Sequence, residues 1–329
     1  MTPLLEAREL VVAFPHRRGE TRALDHVSFS IAPGEILGLI GESGAGKSLT
    51  GAAIIGLLPA PGRIAGGAVY LTGERIDTLP PERLRRIRGR RIGMVFQEPM
   101  TSLDPLMRVG RQLTETIRTH LDLPRAEARS RAISWLERVG IPDAARRADS
   151  WPHEFSGGQR QRVVIALALC AGPELVIADE PTTALDVSVQ AQIITLLKSL
   201  TRENGTAILL ITHDMGVIAE TADRVAVLYA GRIVETGPVA QIVRHPAHPY
   251  TQGLMDSIPD VARRMERLRQ IDGAMPRPGA IPPGCAFHPR CGHAFARCLT
   301  ETPPLLNAGF ASAACWLRVP GADHARGSG

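Results

Sequence analysis

Eight residues, GESGAGKS at 41–48, place glycines around a lysine–serine pair in the order G-x-x-x-x-G-K-S. Glycine lets a backbone curl until several N–H groups point at one anion, and a helix beginning there adds its positive end. In such a cradle Lys47 would supply a point charge to β- and γ-phosphates, and Ser48 a hydroxyl for Mg²⁺. A second motif, ELVIADE at 174–180, runs through four apolar residues and ends on two acids. Asp179 would emerge where it can hold a magnesium hydration shell, and Glu180 where it can polarise an attacking water. The chemistry these residues suit is transfer of a phosphoryl group to water.

That chemistry requires a buried strand before the glycine loop and a helix after it, and EILGLIGESGAGKSLTGAAIIGLL has this order. Upstream, LLEARELVVAF and ALDHVSFSI alternate like strands around a turn at RRGE, and GGAVYLTGERI reads as a strand pair. From about Glu98 to Arg162 the pattern is helical, with VGRQLTETIRTHL and RAEARSRAISWLERVGI as amphipathic segments. Alternation then returns: strand LVIADE, helix VSVQAQIITLLKSLTREN, strand TAILLITHD, helix GVIAETA and hairpin RVAVLYAGRIVETG. The order predicts a mixed α/β domain with a helical insertion. Beyond Pro246 the chain turns proline-rich, DGAMPRPGAIPPG reads as a linker, and GADHARGSG as a disordered tail.

The 329 residues are 44% hydrophobic and 22% charged, ordinary for a soluble protein. No basic-then-apolar leader is present, and the apolar run VVIALALCAG is too short to span a bilayer. A soluble, cytosolic chain is expected, with any membrane crossing left to other subunits. The net charge of +5 comes almost entirely from arginine, since only Lys47 and Lys198 are lysines. RLRRIRGRR at 83–91 is read as a solvated helix face or loop; aromatics are only 4% of the chain, and no nucleic-acid partner is expected.

FSGGQRQR at 155–162 resembles the signature peptide of ABC-transporter ATPases. With GESGAGKS, VFQEP (95–99), ADEPTTALD (178–186) and THD (212–214), every motif of that family appears in its order, over roughly residues 4–250. The resemblance implies an α/β P-loop NTPase: a RecA-like core, an antiparallel β subdomain and a helical signature subdomain at about 98–165, with a small cysteine-rich C-terminal extension. Residues 1–260 would form the ATP-binding domain and 261–329 the extension.

The resemblance also implies roles. Phe14 matches the aromatic that stacks on adenine, although a plain core aromatic is the alternative. Gly41, Glu42, Ser43, Gly44, Ala45, Gly46, Lys47, Ser48 and Leu49 match the ATP phosphate loop, with leucine at 49 where many relatives have threonine. Gln97 matches a Mg²⁺ ligand that senses the γ-phosphate, Asp179 another magnesium partner, Glu180 the general base and His213 the switch histidine. Ser156, Gly157, Gly158, Gln159 and Asp186 match residues that complete the ATP site of a partner ATPase. Phe155 stands where leucine is commoner, a conservative change.

HPAHPYTQGLMDSIP and IDGAMPRPGAIPPGCAFHPRCGHAFARC resemble the C-terminal segments of oligopeptide, dipeptide and nickel uptake ATPases. They imply a peptide importer, with nickel or another small solute as the alternative. The expected partners are a second, distinct ATPase in a heterodimer, two permeases and an extracytoplasmic solute-binding protein, with the chain on the cytoplasmic face of the membrane. DNA-repair and translation ATPases share the site chemistry, but carry long insertions or paired domains that this sequence lacks.

Four of five cysteines, Cys285, Cys291, Cys298 and Cys315, lie near one end at spacings x₅, x₆ and x₁₆. Four thiolates suit a metal. Structural zinc favours close C-x₂₋₄-C pairs, and none occurs. Wider spacing suits loops around a larger object such as an iron–sulfur cube, and some ATPases with the resembling extension hold a [4Fe–4S] cluster. Zn²⁺, with His288 or His293 as further ligands, and no metal at all stay open. Cys170, in VVIALALC, reads as core.

Overall fold

The computed structural model describes residues 2–182, 186–257 and 270–319. In chain order the elements are β1 (Leu5–His16), β2 (Gly19–Ile31), β3 (Ile36–Ile40), α1 (Lys47–Ile54), β4 (Arg63–Leu71), β5 (Glu74–Arg75), α2 (Pro81–Ile87), β6 (Ile92–Val95), α3 (Pro99–Ser102), α4 (Val109–His120), α5 (Arg125–Arg138) and α6 (Ala144–Arg147). Then follow α7 (Gly157–Leu169), β7 (Leu175–Asp179), α8 (Val187–Asn204), β8 (Ala207–Thr212), α9 (Met215–Thr221), β9 (Arg224–Tyr229), β10 (Arg232–Pro238), α10 (Val239–Arg244), α11 (Pro249–Asp256), α12 (Ala296–Thr300), β11 (Leu306–Asn307) and β12 (Ser312–Ala313).

The chain forms two compact units, one from residues 1–4, 31–35 and 78–211, the other from 5–30, 36–77 and 212–329. In the first, β6, β7 and β8 pair in parallel, Ile92 against Leu175 and Leu175 against Ala207. Every residue of β7 and β8 is buried, the pattern of strands covered on both faces. The helices of this unit bury one stripe each: α4 turns Val109, Leu113 and Ile117 inward, while Arg111 and Glu115 pair outside at 2.8 Å. The arginine run 83–91 divides its work. Arg83, Arg85 and Arg86 are exposed on α2, but Arg91 grips Glu174 at 2.6 Å and Arg90 donates to the Ala171 carbonyl, docking the start of β6.

In the second unit, β2-β1-β4-β5 form a sheet whose β1–β4 and β4–β5 pairs are antiparallel. Strand β3 pairs in parallel with β9, and the β9–β10 hairpin continues antiparallel into β12 and β11. The strands at 306–313 carried no legible sequence signal, yet they extend this sheet through Glu235↔Ala313 and Thr236↔Ser312. The residues after the proline-rich stretch thus join the body of this unit. Phe287 is buried and its ring packs edge-on to Tyr229, with centroids 5.3 Å apart, and against Tyr250 at 5.5 Å. The expected boundary near 260 and the tail at 321–329 lie outside the described residues.

Candidate functional site

The phosphate loop leaves β3, whose five residues are all buried, and enters α1 at Lys47. Gly46 sits at the helix N-cap with φ 106°, a left-handed conformation that a side chain resists. Gly41 needs glycine for another reason: a Cβ there would lie 2.2 Å from the Leu228 carbonyl oxygen of β9. The first turn of α1 carries no acidic residue and no side-chain cap, which keeps its positive end available to an anion. Lys47 is buried, and its Nζ donates to the carbonyls of Gly41 at 2.8 Å and Glu42 at 3.1 Å. Ser43, Gly44 and Ser48 are exposed, Ala45 is buried, and Leu49 is half-buried. Phe14 is half-buried in the same unit, its ring so close to Gly62 that a Cβ there would lie 2.7 Å from it. His213 is exposed, directly before Asp214, which caps α9 by accepting from the Gly216 N–H at 2.8 Å.

The acids lie in the other unit. Asp179 closes β7 and is 6% exposed. Glu180 takes φ 45°, and its N–H donates to the Ile211 carbonyl at 2.8 Å. A left-handed glutamate is uncommon, and such strain persists only where the surroundings fix it. Gln97 Nε2 donates to Glu180 Oε2 at 3.1 Å, so two residues 83 positions apart that sequence assigned to one reaction do meet. In the signature segment, Ser156 caps α7. Its Oγ accepts the Gln159 N–H at 3.3 Å, while the Gln159 side chain accepts the Ser156 N–H at 3.1 Å. Gly157 and Gly158 open that helix, and a Cβ on Gly158 would meet Val189 at 2.7 Å. Asp186 caps α8 through the Val189 N–H at 2.9 Å. Ser156 and Asp186, two of the five residues expected to act on a partner's nucleotide, thus also cap helices.

Cys285, Cys291, Cys298 and Cys315 line one small cavity of about 10 Å³, together with His248, His288 and His293. Burial pushes the Cys285 thiol up to about 11 and raises those of Cys291 and Cys315. His248 Nε2 is buried without a hydrogen-bond partner among the described residues, while its Nδ1 accepts the Tyr250 N–H at 3.0 Å. Four thiols and an orphaned imidazole nitrogen around one void have the chemistry of a soft-metal donor set. Their arrangement stops short of one: among the described residues no group of three or more His, Cys, Asp or Glu side chains is disposed to hold a metal ion. The fold thus brings the four cysteines to one cavity without by itself showing a metal centre there. His288 instead points its Nδ1 at the Cys285 carbonyl, 3.0 Å away, within the short turn His288–Arg290. Cys170 is core as read, fully buried with its thiol pushed up to about 12 by burial.

Sequence reasoning missed Arg290, Tyr250 and Glu235. Arg290 reaches the Glu42 carboxylate, and Tyr250 accepts the Glu42 N–H. Glu235 is wholly buried and accepts the N–H groups of Ala247 and His248 at 2.7 and 2.9 Å. The proximity of Arg290 to the cysteines, and a tyrosine inside HPYT, were signals of importance but carried no address.

Among the described residues no helix is long and apolar enough to cross a membrane. A family model described as "ABC transporter" matches residues 24–183, and one described as "Oligopeptide/dipeptide transporter, C-terminal region" matches residues 234–298. A Brucella abortus (strain 2308) protein named "Putative peptide import ATP-binding protein" is 49% identical over 318 residues, covering 97% of this chain and 96% of the relative. A Brucella melitensis protein of the same description is 49% identical over 315 residues, 92% of this chain and 93% of its own. A solved dimeric structure of the ATP-binding cassette MJ0796, in a post-hydrolysis state bound to ADP and Pi, aligns with TM-score 0.65 and 30% identity over 71% of this chain and 98% of that one. The cbiO1 subunit of Clostridium perfringens, part of the ABC transporter complex cbiONQ, aligns with TM-score 0.64 and 29% identity over 74% and 92%.

Proposed function

The chain belongs to the ABC transporter family as an ATP-binding subunit, and from that premise we propose that it hydrolyses ATP to drive uptake of di- and oligopeptides through partner permeases. The observation that carries the substrate class is the match to the oligopeptide/dipeptide C-terminal region, with 49% identity running across nearly the whole length of relatives named for peptide import. Uptake of nickel or another small solute is the competing outcome.

In this reading the loop from Gly41 to Leu49 binds the ATP phosphates through backbone N–H groups, with Lys47 on the β- and γ-phosphates, and Phe14 stacks on adenine. Glu180 takes a proton from the attacking water as the water oxygen bonds to γ-phosphorus and the bond to the ADP oxygen breaks. The Gln97 hydrogen bond supports this role, since it holds the Glu180 carboxylate in one orientation. His213 contacts the γ-phosphate. Ser48, Gln97 and Asp179 supply the hard oxygen donors that suit Mg²⁺, whose charge offsets that of the phosphates when it is bound. Ser156, Gly157, Gly158, Gln159 and Asp186 act on a partner ATPase's nucleotide. The Ser156 oxygen accepts the Gln159 N–H, and its hydroxyl can still donate its own hydrogen. A solved relative that is dimeric and bound to ADP and Pi supports this arrangement. The finer assembly follows: a second, distinct ATPase, two permeases and an extracytoplasmic solute-binding protein, with this chain peripheral on the cytoplasmic face.

For the cysteines, we propose that Cys285, Cys291, Cys298 and Cys315 take up a soft metal, a [4Fe–4S] cluster ahead of Zn²⁺, which would crosslink the end of the chain. The shared cavity, and a buried His248 Nε2 without a hydrogen-bond partner among the described residues, support a guest there. Anaerobic purification with assay of iron, sulfide and zinc tests it: four irons and four sulfides per chain are expected, whereas a metal-free preparation of folded protein would refute it. For the transport function, membranes carrying the full complex should accumulate labelled di- and tripeptides only with ATP. Uptake of nickel but no peptide would overturn the substrate class.

A further inference from the structure

Glu42, the second residue of the phosphate loop, is held at three points. Its N–H donates to Tyr250 Oη at 2.9 Å, and its carbonyl accepts from Lys47 Nζ at 3.1 Å. Its carboxylate oxygens both accept from Arg290 Nη1, at 3.0 and 3.1 Å. Two of these three contacts come from residues more than 200 positions away, outside every motif that sequence assigns to phosphate binding.

Arg290 is itself fixed. Its Nε donates to the Asp272 carbonyl at 2.8 Å, its Nη2 to the Ile271 carbonyl at 3.2 Å, and its Nη1 also reaches Tyr229 Oη at 3.4 Å. The side chain is only 6% exposed, against 28% for Glu42. A planar guanidinium spends several donors at once without losing its geometry, which a lysine cannot do. Tyr250 is fully buried, its ring 4.6 Å from that of Tyr229. The contacts on Glu42 thus come from a buried arginine and a buried tyrosine of the same unit. A loop that must present several N–H groups to one anion loses affinity when it wanders among conformers, because only the competent fraction binds.

We infer that Arg290 is a positioning residue for the phosphate loop: through the Glu42 carboxylate, and with Tyr250 on the Glu42 N–H, the C-terminal region holds the loop in its nucleotide-binding form. Arg290 acts through Glu42 rather than on ATP. Cys291 follows it directly, so the segment that lines the cysteine cavity also carries the anchor of the loop.

The inference rests on the ATP-binding reading, and a titration with a fluorescent ATP analogue separates the two. Wild-type chain that binds no nucleotide contradicts that reading. Given wild-type binding, Arg290→Met and Glu42→Ala should each weaken affinity about tenfold, with KM for ATP rising alike and kcat changing less than about twofold. The double variant should be no weaker than the worse single one, because both remove one tether. Arg290→Lys, which keeps charge but not the fork, should fall between, and serves with Glu42→Ala for the same cycle should Arg290→Met fail to fold. Wild-type affinity in Arg290→Met, or losses that multiply to about a hundredfold in the double variant, would overturn the inference. So would a fall in kcat with unchanged KM.

Discussion

Replacing Gly41 by alanine tests the phosphate loop at its tightest point. The added Cβ would lie 2.2 Å from the Leu228 carbonyl oxygen and 3.1 Å from the Ala45 Cβ. The first neighbour is backbone of β9, bonded in register to β3 through Ile40↔Val227, so it cannot swing aside as a side chain would. Restoring ordinary contact requires the loop to move by about 1 Å, and overpacking of this kind costs about 1–3 kcal/mol of stability. The same shift takes N–H groups off the phosphate. A hydrogen bond to a charged group contributes about 1.5–3 kcal/mol, so losing two weakens ATP binding by about 3–6 kcal/mol, or roughly two to four decades. Calorimetric titration with ATP–Mg²⁺, paired with thermal unfolding, measures both terms. Binding within threefold of wild type, with an unchanged melting temperature, would show that the close approach of loop and β9 does not constrain the loop.

Gln97→Glu would set a second carboxylate within hydrogen-bond reach of Glu180. Like charges hold one acid protonated to higher pH, so the acidic limb of the kcat–pH profile should move up by about one unit, and an unmoved limb would refute the contact. Glu235→Ala strips the Ala247 and His248 N–H groups of their buried acceptor. It should cost about 3 kcal/mol in urea unfolding, and a loss below about 1 kcal/mol would argue against the role of this carboxylate. Burial holds the Cys170 thiol up at about 12, well above its ordinary value, so it stays protonated and unreactive at pH 8. Native-state alkylation followed by peptide mapping should leave Cys170 unmodified until the chain unfolds, and rapid labelling would contradict its place in the core.

What was legible in the sequence was local. The run from Ile36 to Ile40 had to be a buried strand, and the glycines after it a turn, because apolar period and backbone freedom are written in the residues themselves. The helix at 187–204 was read to the residue for the same reason. What escaped depends on distant partners. The two-residue strands at 306–313 are too short to show a period and exist because β10 offers an edge. Arg290 looks like one arginine among many until the fold brings Glu42 to it. The cysteines announced a shared task by their number, but spacing alone could not say that all four line one cavity, which the fold brings about. Ser156 and Asp186 show a further limit: motif logic assigns them to a partner's nucleotide, while the structure shows the helix-capping work they also perform.

In the proposed mechanism Glu180, held by Gln97 directly after β7, takes the proton from the water that attacks ATP. Steady-state phosphate release by Glu180→Gln, beside equilibrium ATP binding, measures it most directly. General-base catalysis contributes about two to four decades of rate, so turnover should fall by at least about a hundredfold while ATP affinity stays within a few-fold of wild type. Turnover equal to wild type in that variant would rule out Glu180 as the base.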